Sequence, residues 1–138
     1  MSKVLSNLEV NISFNPQYEG TMQTDAGEFS LGAGIGDLSP YPMLLGALGT
    51  CYFHTFLEIV RKKRIDFDHV EIEVSGEKRE EVPTTLKHVK IIFKIFGAGS
   101  DETTRNKFLK SCELAEKYCS IHATVSKVAE VETEVVFA

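Results

Sequence analysis

Leu8, Val10, Ile12 and Phe14 alternate with Asn7, Glu9, Asn11 and Ser13, the period of two that marks a half-buried strand. Weaker strand patterns follow over residues 17–24 and 28–31, with a turn at Asp25-Ala26-Gly27. Gly32, Gly34 and Gly36 then loosen the chain. Their GxGxG spacing has no phosphate-loop lysine after it and no buried strand before it, so it reads as a flexible linker. Ser39-Pro40-Tyr41-Pro42 opens the next element with a good N-cap and a proline suited to a first helical turn. The pattern predicts a helix over 42–64, about 34 Å long. Its first half is apolar on every side (Met43, Leu44, Leu45, Ala47, Leu48, Tyr52, Phe53), which predicts burial all round. Arg61, Lys62, Lys63 and Arg64 complement the negative end of its dipole, so this basic run reads as a helix end rather than a nucleic-acid patch.

Three clear strands come later. Val70, Ile72 and Val74 alternate with Glu71, Glu73 and Ser75; Val89, Ile91, Phe93 and Ile95 with Lys90, Ile92 and Lys94; Val131, Thr133, Val135 and Phe137 with Glu130, Glu132 and Glu134. Two polar faces carry glutamate and one carries lysine. Opposite charges facing each other across strands help pairing and like charges oppose it, which predicts that the lysine strand lies between the glutamate strands. A helix over 101–118, capped by Asp101 or Ser100, sits between the last two strands and puts Phe108, Cys112, Ala115 and Cys119 on one face. The order is βββ-α-ββ-α-β, an α+β arrangement.

The chain has 138 residues, which fits one domain over 1–138 with a core of its own. The formal charge of −5 argues against a nucleic-acid partner, which needs a basic face. Met1 to Val10 holds no apolar segment of a secretory leader. The most apolar run, Tyr41 to Phe53, is thirteen residues long, short of the about 20 that a membrane span needs. These features predict a cytoplasmic protein without a membrane partner, where thiols stay reduced.

Three cysteines cannot all pair within one chain, which argues against a disulfide scaffold. Cys112, between Phe108 and Ala115, reads as core filler. Cys51 and Cys119 each have a bland reading too, as small buried residues. Two features favour chemistry. Gly46 and Gly49 stand near Cys51 inside a helix, where glycine is costly, which predicts a close approach, such as a second helix crossing there. Cys51 and Cys119 also each have a histidine three residues on, His54 and His122, so CxxH…CxxH could bring thiols and imidazoles onto convergent surfaces. A tetrahedral zinc site is one reading, although a long apolar helix is an unusual place for zinc ligands. A histidine polarising a thiol is another, and ordinary hydrogen-bonded histidines a third.

Ser39-Pro40-Tyr41 through Ala47-Leu48-Gly49-Thr50-Cys51, followed by Cys119-Ser120-Ile121-His122-Ala123-Thr124, resembles the OsmC/Ohr family, and the element order matches over nearly the whole chain. The resemblance implies an intertwined α+β homodimer around two long central helices, with each active site at the interface. It also implies thiol peroxidase chemistry on organic hydroperoxides in oxidative-stress defence. Cys51 would be the attacking thiolate, Cys119 the resolving thiol and a dithiol the reductant, with no metal or organic cofactor. Tyr41 and Tyr52 are candidate pocket residues.

The chain departs from the family pattern in three places. Tyr41 and Pro42 stand where the peroxidases carry a glutamate, the first arginine is Arg61 rather than one from the N-terminal strands, and Ser120 replaces a proline after the second cysteine. The thiolate is the nucleophile. Cys51 lies beyond the reach of its own helix dipole, and apolar burial predicts a raised pKa. His54, His122, or Arg79 from a partner chain are candidates to support it. The alternative function is a non-catalytic module that binds a small apolar ligand or senses redox state.

Overall fold

The computed structural model describes residues 8–138, which fall into two compact units divided between Met43 and Leu44. The reading of Met1 to Val10 as free of a leader rests largely on residues 1–7, outside the described part.

The first unit is an antiparallel meander of β1 (Asn11–Phe14), β2 (Gly20–Thr24) and β3 (Gly27–Leu31), in that order. The alternation begins at Leu8, but ladder pairing begins only at Asn11, opposite Gln23. The β1–β2 turn is held by Asn15, whose Oδ1 accepts from the backbone N–H groups of Gln17 and Glu19. Gly20 is needed at the far end of that turn. A Cβ there would stand 2.6 Å from the Phe14 ring, which stacks on Tyr18. Ile12, Phe14 and Phe29 of this sheet remain exposed.

Helix α1 (Pro40–Lys63) starts in the first unit and runs through the second. The second unit adds β4 (His69–Lys78), β5 (Leu86–Phe96), α2 (Glu102–Tyr118), α3 (Ser120–Ser126) and β6 (Glu130–Phe137). Its sheet has the order β4-β5-β6, with the lysine strand in the middle, as the charge pattern predicts. Glu71 stands opposite Lys94, and Lys90 Nζ lies 3.3 Å from Glu134 Oε1. β5 pairs antiparallel with β4 and parallel with β6, so α2 and α3 form the crossover that a parallel pair requires. Asp101 caps α2 by accepting from the Thr104 N–H and hydroxyl at 3.0 and 2.7 Å.

The core lies between that sheet and the two long helices. Val89, Ile91, Phe93 and Ile95 of β5 are fully buried. Leu48, Tyr52, Phe56 and Val60 of α1 meet them at steps of four, which forms one stripe of the helix. Phe56 is the hub, with ring centroids 4.8 Å from Phe93, 5.6 Å from Phe67 and 6.3 Å from Phe108. Phe108, Cys112, Ala115 and Cys119 supply the opposing face, as their spacing predicts.

Three expectations change. Within this chain α1 buries a stripe rather than its whole circumference, and Leu44 is 40% exposed. The neighbour that needs Gly49 is strand β4, since a Cβ there would stand 3.2 Å from Val74 Cγ2, while Gly46 has nothing within 4 Å. A short helix, α3, follows α2 after a break at Cys119, whose φ of −73° and ψ of 117° are extended. Helix α1 is also long and apolar enough, by length and composition, to cross a membrane, with a mean hydropathy of 1.4 over eighteen residues. One stripe of it, with Tyr52 and Phe56, is buried in the core of the second unit.

Candidate functional site

Cys51 and Cys119 meet where α1 passes the break between α2 and α3. Cys51 is half-buried at mid-helix, and Cys119 is fully buried in the core. The break puts Cys119 at the N-cap of α3, where its Sγ accepts from the His122 backbone N–H at 3.4 Å. The same turn aims donors at Cys51. Burial works to raise the Cys51 pKa, but the backbone at Ile121 and Ser120, the Cys119 thiol and the Ser120 side chain act to lower it. Together they outweigh burial and hold it below the ordinary thiol value. Cys119 moves the other way: burial comes first among the causes, and the bond and charge of Cys51 add to it, so its pKa is raised. The pairing thus drives the two pKa values apart, Cys51 downward and Cys119 upward.

This overturns the expectation that Cys51 is pushed up by apolar burial without compensation. The compensating groups are backbone amides and Ser120, which side-chain motifs do not display. The signal was present in Ser120. Where a proline offers no N–H, serine offers both an amide and a hydroxyl.

The thiols converge, but the imidazoles do not join them as the CxxH spacing suggests. The His54 ring is 71% exposed and lies 3.7 Å from Glu58, one turn along the outer face of α1. Within this chain it does not face the two thiols, so the CxxH spacing does not bring four ligands together here. His122 is buried, and the contact it makes with Cys119 is through its backbone; its Nδ1 lies 3.2 Å from Ser126 Oγ. Arg79 is tied into its own loop, with its guanidinium donating to Thr85 Oγ1 and to the Leu86 carbonyl.

Tyr41 lies half-buried in the first turn of α1, in the first unit. Tyr52 is fully buried, and its hydroxyl donates to the Cys112 carbonyl at 3.1 Å. It backs a cleft of about 290 Å³ with Cys112 and Glu116 of α2 and Thr133 of β6. Cys112 is core filler: burial, the largest cause, pushes its thiol up to about 12 despite the Tyr52 hydroxyl, and keeps it unreactive.

Fold and thiol pair together define a dithiol protein on an α+β frame. The profile of the OsmC-like protein family matches residues 32–134. Protein YhfA of Escherichia coli K12 is 30% identical over 99 residues, which span 70% of this chain and 72% of that protein. The structure of an OsmC-like protein from Mycoplasma pneumoniae superimposes with a TM-score of 0.79 at 20% identity, over 94% of this chain and 96% of that one. The organic hydroperoxide resistance protein OhrB of Bacillus subtilis gives 0.65 at 17% identity, over 92% and 97%. These two likenesses show a shared fold. The chain belongs to the OsmC-like family, and its α+β fold is the fold of that family.

Proposed function

We propose that this protein is a dithiol peroxidase that reduces organic hydroperoxides, with Cys51 as nucleophile and Cys119 as resolving thiol. The observation that carries the reading is the meeting of two free thiols from α1 and the α2–α3 break, with their acidities driven apart. The Cys51 thiolate attacks a peroxide oxygen, the O–O bond breaks, and the alkoxide takes up a proton and leaves as the alcohol. Cys51 is left as the sulfenic acid. The Cys119 sulfur then attacks Cys51, the S–S bond forms, and hydroxide leaves with the Cys119 proton as water. An external dithiol, oxidised to its own disulfide, returns both cysteines to thiols. The reaction draws on no metal or organic cofactor.

The working unit in this reading is a homodimer in the cytoplasm. Gly46 on the flank of α1 opposite its buried stripe, exposed Leu44 near the start of that helix, and the exposed apolar residues of the β1–β3 sheet support a second copy as the missing cover. OhrB of Bacillus subtilis, named for organic hydroperoxide resistance, supports the substrate class.

A second reading, a dimer that senses redox state or binds a small apolar ligand without turnover, is favoured by one observation. Among the described residues, the groups that lower the Cys51 pKa are neutral: the backbone at Ile121 and Ser120, the Cys119 thiol and the Ser120 side chain. Counting free thiols after reduced protein meets cumene hydroperoxide or hydrogen peroxide decides between the two. Loss of two thiols per chain, requiring both Cys51 and Cys119, is the expected result. Retention of both under excess organic peroxide overturns the peroxidase and leaves the binding module.

A further inference from the structure

Glu116 stands in the last turn of α2 and His122 in the first turn of α3, on either side of the break at Cys119. The Glu116 Oε1 lies 3.7 Å from His122 Nε2. The residue His122 is nine-tenths buried, and its Nε2 is one of two buried side-chain polar atoms, among the described residues, without a hydrogen-bond partner. Its other ring nitrogen is engaged with Ser126 Oγ. The carboxylate is therefore the group placed to compensate the buried Nε2. From α1, Tyr52 meets the imidazole at a centroid distance of 6.4 Å, but its hydroxyl is committed to the Cys112 carbonyl. Within α3 the neighbours are Ser126 and the capping Cys119, so Glu116 is the charged group that faces the ring.

The same histidine holds the Cys119 sulfur through its backbone N–H, and the Cys119 thiol is the neighbour of Cys51 that helps to set its acidity. A run of contacts thus leads from a carboxylate on the wall of the 290 Å³ cleft to the sulfur pair. It crosses the helix break where extended backbone at Cys119 leaves α2 and α3 without a continuous hydrogen-bond ladder.

We propose that Glu116 is a positioning residue for the thiol pair: by holding the His122 ring from α2, it fixes the amide that anchors the Cys119 sulfur and so the alignment of Cys119 toward Cys51. Its functional meaning rests on the dithiol reading, while the geometry can be tested without any peroxide. Glu116→Gln removes the charge at constant size, and Glu116→Asp keeps the charge but draws it back by one methylene.

Reduced full-length protein is treated with iodoacetamide between pH 6 and 9, and alkylation at Cys51 is followed by mass spectrometry. The His122 ring nitrogens are read by NMR and the fold by thermal melting. In Glu116→Gln the Cys51 rate near neutral pH falls by about two- to fivefold, its midpoint moves to higher pH and the ring nitrogens shift, with melting little changed. Glu116→Asp falls between Gln and wild type. A wild-type rate and midpoint in Glu116→Gln overturns the proposal. So does a slowing that follows a lowered melting temperature and is as large in Glu116→Asp, because that pattern marks a merely structural side chain. Failure of the peroxide assay leaves these readouts intact, so the two readings fail separately.

Discussion

Cys119 and Cys51 stand 68 positions apart in the sequence, yet the fold brings their thiols close enough for each to change the acidity of the other. Neither cysteine has this arrangement locally. It arises because α1 is packed through Tyr52 and Phe56 against the same core as α2, and because α2 stops just before Cys119.

The first prediction concerns Ser120. Ser120→Ala removes the hydroxyl directed at Cys51, and Ser120→Pro removes the amide hydrogen as well. Cys51 alkylation at neutral pH slows in both, more in the proline variant, and the midpoint of its pH profile rises stepwise. A lost donor to a charged sulfur is among the stronger single hydrogen-bond losses, about 1.5–3 kcal/mol, so the rate near neutral pH should fall by about tenfold or more for each donor removed. Identical profiles in wild type and both variants would remove Ser120 from the site.

Stability should fall in alkali. The Cys112 thiol is raised from an ordinary 9.0 to about 12, and Cys119 is also raised. Between those values the folded chain keeps protons that the unfolded chain has lost. The protonated thiols therefore add stability that is fully present below pH 9 and is lost as the pH rises toward 12. Tyr52, raised by burial, acts in the same direction above its own ordinary value. Cys51, whose pKa is lowered, contributes the opposite sign, but only below the ordinary thiol value. Urea midpoints should decline above pH 9, and Cys112→Ala should flatten that decline while lowering the midpoint at pH 7.

The two helix glycines should behave differently. Gly49→Val drives branched atoms into Val74 and Ile72 and is expected to cost about 1–3 kcal/mol through overpacking. Gly46→Ala meets nothing within the chain and should gain up to about 1 kcal/mol of helix propensity in a monomer. If the second copy packs there, sedimentation will instead show weaker association in Gly46→Ala. Stabilisation of the chain without any change in assembly would place the dimer contact elsewhere.

Phe56 tests the core. Its ring meets those of Phe93, Phe67 and Phe108, so Phe56→Ala should destabilise by about 3–5 kcal/mol. Tyr52→Phe removes one buried donor to a helical carbonyl and should cost about 1 kcal/mol. Equal losses for the two would mean that the hydroxyl, and not the aromatic hub, aligns α1 with α2.

Strands and long helices were legible in the sequence because their signal is periodic and repeated. The central place of the Lys90–Lys94 strand was legible too, since charge pairing is a property of neighbours along a face. The parallel pairing of β5 with β6 left no mark in either strand's own pattern. Helix α3 escaped because seven residues give too few turns for a stripe, and because its N-cap is a cysteine rather than one of the usual capping residues. The candidate thiols were visible by spacing, but their acidities were not. Those depend on which backbone amides of Ser120 and Ile121 the turn exposes, and every residue type except proline carries the same amide. The CxxH spacing misled for a related reason: three positions on a helix fix a side but not whether that side faces the core, and His54 faces outward.

The distance along the chain between Cys51 and the groups that tune it has a consequence for the newly made protein. The Ser120 and Ile121 amides and the Cys119 thiol reach Cys51 only after α1 and the crossover have docked on the same sheet. Until then Cys51 is an ordinary, mostly protonated thiol. The lowering of its pKa is thus expected to appear only in the folded chain, so the Cys51 alkylation rate should serve as a gauge of completed folding.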